Sequence, residues 1–518
     1  MSLRPIGISL AVALLLGACS SSSSSKALSS TTSAHPPAST STTTVALPGE
    51  PADVAAASNQ WPLPGQNYAN TRAAVGSTIN RADVARLRVA WKATPKQMGA
   101  LTTAPIVIGG IVYVEDGNGH VEAIDAASGH VAWTSAPSGF NIGPFGVAIA
   151  DGRVFGDDGS HGVIALDAKT GRQLWTRQIT QTKSEGVDIQ PTAADGLVLA
   201  STVPVSVNGI YQGGDRGTVY ALDARTGAIR WQFVTVPAEL WGHPDINSGG
   251  GAWYPPAIDL RRHLVYMGVA NPAPFPGTTA YPNGTSRPGD NLYTDSLVAL
   301  DLDTGHLRWY HQVTKHDLFD RDQVHALLAT VGSREVVVSA GKSGEIVGLD
   351  PDTGRMLWQR AVGIHQNDAR TTLSGATVVY PGTYGGVLTP PATASGVVYA
   401  AVINAPTALH PTQTAYIGSD LGKRPGDVVA IDAANGHVLW DTHVSGDPLG
   451  GATVVNDLVF SALLDGTIVA LDRSTGAVVW KYKAAGGING WMAAVGDTLY
   501  VPVGMAEPPE VLALRLAG

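Results

Sequence analysis

Along most of the chain, alternating apolar residues run up to an aspartate, a short polar turn follows, and a second apolar run ends on tryptophan. The phrase occurs seven times: VEAIDAASGHVAW ending at Trp133, VIALDAKTGRQLW at Trp175, VYALDARTGAIRW at Trp231, LVALDLDTGHLRW at Trp309, IVGLDPDTGRMLW at Trp358, VVAIDAANGHVLW at Trp440 and IVALDRSTGAVVW at Trp480. One spacing holds throughout, from Asp125, Gly129 and Trp133 to Asp472, Gly476 and Trp480. Alternation predicts strands, the Asp side chain caps the turn and the Gly supplies a positive φ, so each copy predicts a β-hairpin. Further short strands precede most copies, as in ATVVNDLVFSALLDGTIVALD, which makes the full unit about four strands.

A four-stranded unit repeating at about 40 residues or more, unable to bury its own faces, predicts a β-propeller with the tryptophans packed between blades. The segment NRADVARLRVAW keeps the separation of Asp83 and Trp91 but lacks the turn glycine, and the C-terminal AAVGDTLYVPVGMAEPPEVLALRL supplies strands with no phrase after them. Pairing the strand near Trp91 with these C-terminal strands gives an eighth blade and closes the ring. The expected fold is an all-β, eight-bladed propeller over residues 49–518. Because the turn aspartates recur in every blade, they are read as structural, and chemistry has to come from unique residues.

Composition agrees with a β-rich chain: 44% hydrophobic, 14% charged, with 61 Gly and 33 Pro among 518 residues. A net charge of -9 gives no basic footprint for nucleic acid. At the N-terminus, Arg4 precedes an apolar core from Ile6 to Leu16, which suits a secretory signal over residues 1–18 and is short for a membrane span. Leu16-Gly17-Ala18-Cys19 resembles a bacterial lipobox, so Cys19, the only cysteine, is the expected lipidation site and membrane anchor; without a second thiol no internal disulfide can form. The Ser/Thr-rich residues 19–48 read as a flexible tether, and the expected location is outside a bacterial membrane.

The intervals from Asp223 to Asp301 and from Asp350 to Asp432 are far longer than a regular blade, and insertions on a rigid frame are where binding residues collect. They carry, with the segment after Trp309, the motifs GGGAW, GVANPAPF, RPGDN and HDLFD. Together with the repeats and the opening segment WPLPGQNYANTRAAVGSTINRADVARLRVAW, these motifs resemble the quinoprotein alcohol dehydrogenases, eight-bladed propellers that bind pyrroloquinoline quinone and usually calcium. The resemblance covers nearly the whole chain after Pro48. It implies oxidation of an alcohol by hydride transfer to the quinone, with electrons leaving to a separate acceptor. It further implies Trp253 as the indole under the cofactor, Lys342 against the quinone oxygens and Asn404 as a further cofactor contact. Asn271 is implied as a calcium ligand and Asp317 as catalytic base close to the metal. The chemistry is consistent, since a quinone carbonyl needs a cation to polarise it and the alcohol needs a base.

The family's metal-binding glutamate falls on Gln212, a neutral residue; paired cysteines cannot exist after Cys19; Phe319 stands where a Trp is usual; and no C-x-x-C-H motif for attached haem occurs. Each site residue also has a structural reading: Trp253 as one more wedge between blades, Asn271 as a turn former before Pro272, His316 and Asp317 as a loop cap, Lys342 as a hairpin tip. The competing functions are a lipoprotein scaffold like the propeller of outer-membrane barrel assembly, and a surface carbohydrate- or polymer-binding propeller.

Overall fold

The computed structural model describes residues 47–518 except 96–97, 142, 160, 208–209, 413–420 and 423. The expected signal segment, Cys19 and nearly all of the tether lie outside the described residues. Among the described residues, no helix is long and apolar enough to cross a membrane.

Eight antiparallel sheets follow one another along the chain as blades. Seven lie within single stretches, 106–134, 148–178, 185–234, 257–312, 325–361, 392–444 and 453–483. The eighth joins Ala493–Val495, Thr498–Val503 and Glu510–Leu516 to the N-terminal strand Leu87–Ala93, with Leu87 opposite Leu516 and Ala93 opposite Val511. The ring is therefore closed by both ends of the chain, as the sequence predicts.

Burial departs from simple alternation. Val121, Glu122, Ala123 and Ile124 are all buried, and only the outermost strand of each blade, such as Val131–Thr134, alternates between half-buried and exposed. A blade is packed on both faces by its neighbours, so its inner strands have no solvent side.

The joint between blades explains the repeated phrase. Each indole donates its N–H to the carbonyl of the residue after the turn aspartate in the next blade: Trp91 to Ala126, Trp133 to Ala168, Trp175 to Ala224, Trp231 to Leu302, Trp309 to Pro351, Trp358 to Ala433 and Trp440 to Arg473, at 2.8–3.2 Å. The ring lies against the turn glycine of that blade. A Cβ on Gly305, whose φ is +69°, would stand 2.4 Å from Trp231. The glycine thus serves twice, as the positive-φ residue and as the notch that admits the indole. Within its own blade each tryptophan faces a small residue, as Ala299 opposite Trp309 and Gly348 opposite Trp358, and a register shift follows at once.

The segment before Leu87 closes the axis. Tyr68 donates to Ala193 O, Asn70 to Pro255 O and Ala326 O, and the buried Arg72 to Pro64 O, Ala452 O, Met492 O and Thr453 Oγ1. One short irregular stretch, 68–72, so ties five blades together. Beside it lies a small cavity bordered by Arg72, Tyr254, His325 and Trp491.

Two outcomes follow. Gly305→Ala forces a Cβ into the Trp231 ring at a left-handed position, and a urea melt is expected to show a loss on the order of 2 kcal/mol. Asp472 Oδ1 accepts the Ser474 hydroxyl and the Ser474 and Thr475 N–H groups, which holds its pKa down at about 2. Its contribution is present above the ordinary carboxylate value of about 4 and is lost as pH falls through the folded value. The gap in Tm between wild type and Asp472→Asn should accordingly close as pH drops from about 6 to about 2.

Candidate functional site

His325 pairs with Ala340, so the residues just before the first strand of blade 325–361 and just after its second strand leave the sheet together. Lys342 N–H donates to Asp322 O at 2.8 Å, and Gly341 permits the approach, since a Cβ there would meet that same carbonyl. The neighbouring blade ends its second strand at Val269, which bridges Gln323. Asn271 follows, donating its backbone N–H to Asp322 Oδ1 at 2.7 Å. Two blades thus deliver Asn271, Asp320, Asp322 and Lys342 to one hollow.

Lys342 Nζ lies 2.6 Å from Asp322 Oδ2 and 3.1 Å from Asp320 Oδ1. Burial works against the ammonium, but the two carboxylates outweigh it and hold it protonated well above its ordinary range. Asp320 sits at φ +63°, uncommon for a residue with a Cβ, and burial pushes its pKa up to about 8 against the pull of Lys342. Behind them Asp295 has no exposure, and neither of its carboxylate oxygens has a hydrogen-bond partner. Burial, then the charge of Asp317, raises its pKa well above the carboxylate range.

Trp253 packs with Ala270, Val324, Tyr254 and Trp491, and Ala270 and Val324 stand one and two residues from Asn271 and Asp322. Its Nε1 is buried without a partner, unlike the seven inter-blade indoles. Tyr211, which packs on Phe275 at 6.0 Å between ring centroids, also faces this charge cluster: burial and then Asp320 raise its hydroxyl pKa.

Three residues singled out from the sequence make other contacts, Asp317 while still beside Asp295 and Asp320. Asp317 is fully buried, but its Oδ1 accepts Phe319 N–H at 2.8 Å and its Oδ2 accepts Arg321 N–H at 2.7 Å, while its own carbonyl accepts from Arg287. That is the loop-capping arrangement, and it aims Asp320 and Asp322, rather than Asp317, at the lysine. Gln212 is exposed next to Tyr211, which reaches the charge cluster in its place. Asn404 donates its amide to Asp427 Oδ2 at 2.7 Å and accepts Ile364 N–H at 3.0 Å, which makes it a strut between two blades. Sequence reasoning passed over Asp320 and Asp322 although both stand in HDLFDRDQ; their two-residue spacing is the signal that could have found them. Nothing comparable marks Asp295 or Tyr211.

Oxygen donors around an uncompensated buried carboxylate suit a hard cation, and an indole beside them suits a flat ring, so the residues fit a metal and an aromatic cofactor. A family model described as "Glucose/ethanol/alcohol dehydrogenase, beta-propeller domain" matches residues 181–360. One described as "Outer membrane protein assembly factor BamB" matches 74–232 and 424–505. The quinohemoprotein alcohol dehydrogenase ADH IIB of Pseudomonas putida is 26% identical over 330 residues, 58% of this chain and 47% of that protein. The chain spans about half the length of the curated relatives it matches. Among solved structures, a europium-containing methanol dehydrogenase superposes with a TM-score of 0.74 at 23% identity, covering 89% of this chain and 98% of that one. BamB from Moraxella catarrhalis gives 0.54 at 17%, covering 83% and 99%.

Removing the lysine leaves two buried carboxylates facing each other. Lys342→Met is expected to lower stability by about 3–5 kcal/mol in a denaturant melt at neutral pH, with part of the loss recovered on adding Ca2+.

Proposed function

We propose that this chain, a β-propeller of the kind found in the alcohol dehydrogenases that depend on pyrroloquinoline quinone (PQQ), oxidises an alcohol by hydride transfer at the Lys342 hollow. The observation that carries the proposal is the convergence of Asn271 from the 223–301 insertion with Asp320, Asp322 and Lys342 from the next blade, with Trp253 packed on the adjoining Ala270 and Val324. PQQ, when bound, supplies an electrophilic carbonyl carbon that accepts hydride. Trp253 would lie under its plane, and Asn271, Asp320 and Asp322 would supply oxygen atoms to Ca2+ or a lanthanide ion. Lys342 holds positive charge where the quinone oxygens would lie. Asp320, in contact with Lys342, takes the hydroxyl proton of the alcohol. Asp317, spent on the loop backbone, positions Asp320 and Asp322.

Support for a redox site over a bare scaffold comes from where the two family models fall. The assembly-factor match covers regular blades and skips 233–423, whereas the dehydrogenase match spans Trp253, Asn271, Asp320, Asp322 and Lys342. With the leader residues, this reading puts the chain outside the cytoplasm on a lipidated Cys19, passing electrons to a separate carrier.

The test is reconstitution with PQQ and either Ca2+ or a lanthanide, followed by an alcohol assay with an artificial acceptor. Asp320→Asn is expected to lower kcat about 10²–10⁴-fold, whereas Asp317→Asn keeps most turnover and loses thermal stability. The reverse result returns the base to Asp317. No cofactor uptake with any of these ions leaves the scaffold reading standing.

A further inference from the structure

A second polar cluster is buried in blade 106–134, at the hairpin between Ile111–Glu115 and Val121–Asp125. Asp116 N–H donates to His120 O and closes the turn. His120 stands just before the strand that carries Glu122, two residues on, and the turn brings Asp116 to both. One potential ligand atom from each of Asp116, His120 and Glu122 lies within 4.8 Å of the others, and all three residues are buried.

Their hydrogen bonding is uneven. Asp116 Oδ1 accepts the N–H groups of Asn118 and His120, both at 2.9 Å; Oδ2 accepts Gly99 N–H at 2.6 Å and lies 3.1 Å from His120 Nδ1. Glu122 has no exposure, and neither of its carboxylate oxygens has a hydrogen-bond partner. Among the described residues, the single ion pair at Asp116 or Glu122 is the one between Asp116 and His120, and no Lys or Arg pairs with either. The next charges are carboxylates as well: Glu115 accepts from Asn141 and from Asp157 N–H, and both carboxylate oxygens of Asp157 lack partners. A carboxylate in this setting either keeps its proton or meets a cation.

We propose that Asp116, His120 and Glu122 bind one divalent transition-metal ion of the Zn2+ type, at a site separate from the Lys342 hollow. An imidazole nitrogen selects a borderline ion over Ca2+ or Mg2+, and two carboxylates neutralise its charge. The ion is bound by a lone pair of neutral His120 and by ionised carboxylates, so any proton carried by the Glu122 carboxyl leaves to solvent on binding. Three protein donors leave one tetrahedral position for water. The Lys342 hollow offers oxygen atoms and an ammonium, so the two sites differ in the metals they take.

The test uses untagged full-length protein stripped with a chelator, held in excess Ca2+ and titrated with Co2+ and then Zn2+. The expected result is one equivalent of Co2+ with a visible absorption band, displaced by Zn2+, and a Tm that rises with Zn2+ concentration. Glu122→Gln and His120→Gln should each weaken Zn2+ binding about 100-fold or more, while metal-free Glu122→Gln melts no lower than wild type because an unpartnered acid has been removed. Should Glu122→Gln fail to fold, His120→Gln carries the comparison. The proposal is overturned if wild type takes up no stoichiometric Co2+ or Zn2+, or if the folded variants bind as tightly as wild type.

Discussion

The molecule depends on one recurrent joint, an indole seated in the notch of the next blade's turn glycine with its N–H on that turn's carbonyl. It combines apolar burial of a large ring with satisfaction of its single donor, and the geometry admits no Cβ at the notch. Seven of the eight blade junctions are made this way. The last phrase tryptophan, Trp480, finds no such turn in the blade that follows and stacks instead on Tyr482, with ring planes 12° apart. That junction is packed by an apolar cluster that includes Leu458, Phe460, Leu499 and Leu512.

A frame fixed by identical joints can carry unequal loops. The joints sit at the turn between the third and fourth strands, whereas Asn271 and Lys342 follow second strands, at the opposite end of the blades. Long insertions at that end leave the indole contacts untouched. This separation lets the sequence lengthen 223–301 and 350–432 without opening the ring, and it concentrates unique residues on one face.

That face is acidic inside. Asp320 and Asp322 share one lysine, Asp295 beside them has no hydrogen-bond partner, and Asp116, Glu122, Glu115 and Asp157 share no lysine or arginine among the described residues. Buried carboxylates lacking donors are costly unless they are protonated or meet a cation. The two clusters differ in what surrounds them, oxygen donors and an indole in one and an imidazole in the other, and that difference separates their chemistry.

The repeat phrase alone determined the strands, the turns, the tryptophan joints and, with the flanking segments, the eight-blade ring, because a periodic pattern reports a contact made many times over. It also pointed to the insertion that holds Trp253 and Asn271. It did not separate Asp317 from Asp320 and Asp322, since three acids within six residues look alike until the loop backbone claims one of them. Nor did it reveal that Gln212 stands outside while Tyr211 turns inward, or that Asn404 is consumed as a strut. Asp295 sits in the turn before Ser296–Asp301 and Glu122 inside an ordinary strand, and only packing shows that they are buried without partners. Tertiary structure decided these points because which carboxylate is left without a hydrogen bond is set by chain segments far apart in sequence.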